Sequence, residues 1–157
     1  MNVFRRFCVV QLLMLWQGGF LFYTSFVVPT GTQVLGSAAA QGMITARVTD
    51  RLNLVGAISL AILAWELNYT RDPRTRRTAA RWWCWAIAFV AQWWLFFLHQ
   101  LLDSFMDPER THVVIQPLFY PVHRIYLWAS TVQWVACLLL VWYTVAAWRS
   151  EDGHSKA

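Results

Sequence analysis

Charge is scarce in this chain. Only 13% of its 157 residues are Asp, Glu, Lys or Arg, while 58% are hydrophobic and 17% aromatic. A soluble domain carries roughly 25% charged residues. The mean hydropathy is +0.40, and eleven residues are tryptophan. A bilayer solvates such a surface and water does not. Closely spaced cysteines are also missing. Cys8, Cys84 and Cys137 stand far apart, each inside an apolar run, with no CxxC and no even-numbered framework. Buried thiols are therefore expected rather than disulfides. The chain has no HExxH, no close Cys/His set, no Gly-rich phosphate loop and no dinucleotide fingerprint, so no motif names a reaction. Heptads, internal repeats and low-complexity stretches are absent as well.

What is present is a set of long apolar runs with arginines between them. The formal charge is +5, but the basic residues sit between apolar runs rather than across one polar face. That placement follows the positive-inside rule and excludes nucleic acid as the partner. The length suits one integral membrane domain covering 1–157.

The first span is expected at about 7–29, after Arg5 and Arg6 and ending at Pro29-Thr30-Gly31. It is longer than the roughly 7–15 residues of a signal-peptide core and carries Gln11 and Gln17, so it reads as a retained span. Gln17-Gly18-Gly19 lies mid-span. Close helix packing accounts for it, as does a position lining a polar pathway. A helix beginning near Ala38 leads into the second span, 52–70. Arg47, Asp50 and Arg51 have the spacing of helix-surface pairs, and Ala57, Ala61 and Ala64 share one face that permits tight packing. Glu66, inside this span, is either the start of an ion path or an interfacial carboxylate reaching the arginines beyond it.

Those arginines are Arg71, Arg74, Arg76, Arg77 and Arg81, five within eleven residues, and Asp72-Pro73 breaks the helix among them. So basic a loop stays cytoplasmic and contacts anionic lipid headgroups along Arg71–Arg81. The third span is expected at 82–102 and the fourth at 125–148. Trp82, Trp83 and Trp85 form an aromatic belt at the loop end of the third. Gln92 is expected to bond across helices, and Ser130, Gln133 and Cys137 give the fourth span a small or polar stripe. Four spans put both termini in the cytoplasm. Nine basic residues then lie inside (Arg5, Arg6, the five loop arginines, Arg149, Lys156) and four outside (Arg47, Arg51, Arg110, Arg124). The expected architecture is an all-α, left-handed four-helix transmembrane bundle in a bacterial-type inner membrane, with a second copy or another membrane protein as a further partner.

Three of the four histidines and three of the eight acidic residues lie between His99 and Arg124. His99, Asp103 and Asp107 succeed one another at four-residue steps, His112 lies in the loop, and His123-Arg124 sits where the chain re-enters the membrane. His99, Asp103 and His123 form a donor set for zinc or copper if antiparallel spans bring them together. The same residues suit an imidazole pair around a haem, a proton path, or a clasp from Arg124 to Asp103 or Asp107.

The stretches WQGGFLFYTSFVVPTGTQVL and QGMITARVTDRLNLVG, and more loosely LHQLLD in the third span, carry a resemblance. The chain is similar to a family of small four-helix bacterial membrane proteins that carries a domain-of-unknown-function label. That family is more distantly similar to copper-resistance D-type membrane proteins and to a haem-dependent protoporphyrinogen oxidase. The resemblance implies a membrane bundle and a bound metal or haem. An oxidase of that kind would have a histidine in its first span, and this chain has none there. The leading expectation is a non-enzymatic membrane protein that binds or passes a small ligand or metal at its outer face. A haem-binding redox enzyme and a scaffold for partner membrane proteins are the alternatives.

Overall fold

The computed structural model describes residues 2–70, 72–107 and 113–154, the side chains of Asn2, Ala38 and His154 excepted. They form four long helices: α1 (2–35), α2 (Ala38–Tyr69), α3 (Thr75–Ser104) and α4 (Gln116–His154). All four are long and apolar enough to cross a membrane. At about 1.5 Å per residue α2 is ~48 Å long, so it extends beyond a hydrocarbon core of ~30 Å.

The first helix does not end at Pro29 as the sequence suggests. It runs through to Leu35, by way of two π-helical turns at Met14–Gly18 and Tyr23–Val27. A proline inside an α-helix clashes with the carbonyl four residues back. Here that carbonyl belongs to Ser25, inside the second π turn, whose wider coil takes up the ring. The stop comes at Gly36, whose φ of 61° is left-handed backbone that glycine adopts without strain. Ser37 then caps α2, its hydroxyl accepting from the Ala40 N–H at 3.3 Å.

α3 and α4 form the most extensive helix pair, α2 packs on α3, and α1 lies mainly along α2. One apolar cluster gathers Val9, Leu60, Leu63, Ala88, Cys137 and Leu140 in the half of the bundle nearer the arginine loop. A second, with Leu95, Leu98, Leu102 and Tyr126, fills the other half. All three cysteines are free, and Cys84 and Cys137 are buried. Large apolar side chains, Phe22, Trp83, Trp93 and Trp142 among them, are exposed around the outside. So much apolar surface is a liability in water and ordinary in lipid.

The tight face of α2 is not the alanine face. Ala61 is exposed, whereas Gly56, Ser59, Leu63 and Glu66 are buried. Gly56 is the close approach. A Cβ there would lie 2.5 Å from Gln92 Oε1 and 2.9 Å from Trp16 Nε1, so three helices meet where this residue has no side chain. Gln92 bonds across helices as expected, accepting from Gln133 Nε2 at 3.0 Å. The termini lie at the same end of the bundle, since Arg6 of α1 donates to Asp152 of α4 at 2.8 Å.

Candidate functional site

Two polar clusters sit at opposite ends of the bundle, with a cavity between them. At the histidine end, the four-residue step from His99 to Asp103 on α3 puts both side chains on one helix face. Asp50 reaches the same place from α2. His99 Nε2 lies 2.6 Å from Asp50 Oδ1 and 3.8 Å from Asp103 Oδ2. Each of the three residues offers one ligand atom, and these atoms all lie within 4.8 Å of one another. The imidazole is largely buried and Asp50 is open to solvent. One nitrogen and two carboxylates form a borderline-to-hard donor set of the kind zinc and manganese take.

His123 is not in this group. Its ring stacks on Phe119 at 5.7 Å and 7° on its own helix. Asp107 lies three residues past the end of α3 rather than on the His99–Asp103 face. Arg124 is exposed, and His112 lies outside the described residues. Asp50 is the member that sequence reasoning missed, because its spacing pairs it with Arg47 or Arg51 on its own helix surface. One signal could have found it: counted along antiparallel helices from the Asp72-Pro73 break, residues 50 and 99 arrive within about one helical turn of the same depth.

At the arginine end Glu66 is fully buried. Trp148 Nε1 donates to its Oε1 at 2.6 Å, and the Thr70 hydroxyl donates to the same oxygen. Arg5 lies 3.4 Å from Oε2, donates to Thr70 Oγ1 at 3.0 Å, and stacks over the Tyr69 ring at 4.5 Å. Arg5 and Arg6 share Glu151 at 3.1 and 2.9 Å. Among the described residues the arginine that reaches Glu66 comes from the start of α1; Arg71, in the loop after α2, lies outside them. Arg81 is fully buried and donates to Thr144 at 3.3 Å. Arg77 grips Asp72 with two nitrogens at 2.5 and 2.7 Å and donates to Ser150 at 2.7 Å. The Arg77 guanidinium, and secondarily the Arg74 backbone N–H, hold the Asp72 carboxyl below the usual carboxylate range against the effect of burial. Of the described loop arginines only Arg74 and Arg76 are exposed. Four buried or half-buried arginines, each tied to carboxylates or hydroxyls, make this end a clasp.

Between the clusters, Gln17 lines a cavity of about 530 Å³ bounded by α1, α2 and α4. Asn53 also lines it, and its Oδ1 accepts from the Tyr126 hydroxyl at 3.2 Å. Tyr126 in turn lies 6.2 Å, ring to ring, from His99.

Comparison with known protein families, with curated proteins and with solved structures finds no match for the chain. The four helices and their membrane-spanning character stand on the chain's own pattern and packing.

Proposed function

We propose that this is an inner-membrane protein that holds a divalent cation of the zinc type at its outer face, through Asp50, His99 and Asp103. The observation that carries the reading is the convergence of three ligating groups from two helices within 4.8 Å, with the imidazole largely buried. A buried histidine flanked by two carboxylates suits a cation better than a bis-imidazole haem, which needs a second histidine nitrogen on the opposite side of the ring. Two carboxylates also offset the dication's charge, and solvent beside Asp50 supplies the remaining ligands and a way in. The clasp at the other end holds α1 and α4 together and leaves Arg74 and Arg76 to meet anionic headgroups.

Protein purified in detergent, exposed to zinc and desalted, tests the reading by elemental analysis. About one zinc per chain is expected in wild type, with near-complete loss in His99→Ala and Asp50→Asn. Wild type should also melt at a higher temperature with zinc than without, and His99→Ala should not. Equal and negligible zinc in all three would make the His99–Asp50 contact an interhelical tie only. A Soret band in the purified protein would favour haem instead.

A further inference from the structure

We infer that the cavity between α1 and α4 is a binding site for the ring of a quinone-type lipid that enters sideways from the bilayer. α1 and α4 are tied at the arginine end by Arg6, Glu151 and Asp152. Farther along, the cavity separates them, with α2 as its floor. Its lining includes Thr24 on α1 and Thr131 on α4, both exposed at the outside of the bundle. A volume of about 530 Å³ falls within the ~300–1,000 Å³ of small-molecule sites.

Three observations specify the occupant. First, no Asp, Glu, Lys or Arg lines the cavity among the described residues, so the ligand is neutral. Second, the wall is aromatic: Trp16, Phe20, Tyr23, Tyr126, Trp134 and His123 all face it, which suits a planar ring. Third, residues on this wall carry buried polar atoms without partners among the described residues. These atoms are Asn53 Nδ2, Trp134 Nε1 and Gln17 Oε1. The Asn53 side chain is more than nine-tenths buried, and the Tyr126 hydroxyl occupies its Oδ1, which leaves the amide N–H group to donate. At membrane depth each such atom is costly unless a ligand meets it. Asn53 Nδ2 and Trp134 Nε1 are donors, the kind of group the carbonyl oxygens of a quinone require. The spare Gln17 acceptor matches a hydroxyl of the reduced form. Gln17 sits in the first π turn, a distortion that recurs at functional sites.

The test is titration of the full chain in nanodiscs with decylubiquinone and its quinol, read by tryptophan fluorescence. Trp16 and Trp134 would be next to the bound ring. Saturable quenching is expected in wild type. Asn53→Leu should weaken quinone binding about tenfold. Gln17→Leu should weaken the quinol more than the quinone. Thr131→Trp, at an exposed lining position where folding is least at risk, should block both. Linear quenching that is the same in wild type and Thr131→Trp would overturn the proposal, as would equal displacement of the quinone by dioctanoylglycerol. Zinc analysis of Thr131→Trp keeps this test separate from the cation reading, because His99, Asp50 and Asp103 are untouched.

Discussion

Trp148 donates its indole N–H to Glu66 across 82 residues of sequence, at 2.6 Å, and so joins the end of α4 to the end of α2. Glu66 is the centre of the arginine-end clasp: Thr70, Trp148 and Arg5 all converge on its carboxylate. A buried pair of this kind contributes little over an apolar substitute, but removing one member strands the other.

Glu66→Gln should therefore be the more damaging of two changes, costing up to about 3 kcal/mol, since Arg5 would lose its fully buried counter-charge and keep only Glu151, which it shares with Arg6. Trp148→Phe removes one hydrogen bond and leaves the others, and should cost about 1–3 kcal/mol. Thermal unfolding in detergent ranks the two. An equal, negligible effect of both would mean that the clasp does not hold the helices.

Gly56 gives a second prediction. Gly56→Ala places a methyl against Gln92 Oε1 and the Trp16 indole, and should destabilise by roughly 1–3 kcal/mol. It should also disrupt the Gln92–Gln133 bond, so Gly56→Ala and Gln92→Leu should be non-additive in a double-mutant cycle. Additive losses would contradict the three-helix contact.

The Asp72–Arg77 pair predicts a pH dependence. The folded carboxyl titrates below its unfolded value of about 3.9. Its contribution is thus fully present above that value and is lost as pH falls through the lower, folded one. The melting-temperature difference between wild type and Asp72→Asn should be constant above about pH 5 and shrink below about pH 4. A difference that grows on acidification would reverse the sign of the argument.

Residue type made some of this legible in advance. Gln92, Gln133 and Cys137 are poor lipid-facing residues or good packing ones, and all three point inward. The four spans follow from apolar length alone. Azimuth and long-range pairing are another matter. Each residue inserted by a π turn rotates the downstream part of the helix by roughly 100°, so spacing read along 7–29 does not carry across Met14–Gly18. Arg5 and Arg6 look like topology signals until α4 brings Glu151 beside them, about 145 residues away. Asp50 and Arg47 are near neighbours in sequence, yet Asp50 turns to His99, 49 positions away. The alanine face of α2 failed for a related reason: small residues permit close packing, but the closest approach went to Gly56, which has no Cβ at all.

We propose that the chain crosses a bilayer four times with the arginine loop inside. Single cysteines at Arg76 and Val114, in a background with Cys8, Cys84 and Cys137 replaced, test it most directly. A membrane-impermeant maleimide added to intact cells should label the Val114→Cys protein and leave Arg76→Cys unlabelled until the membrane is opened. Labelling of both from outside, or of Arg76→Cys alone, would contradict the account.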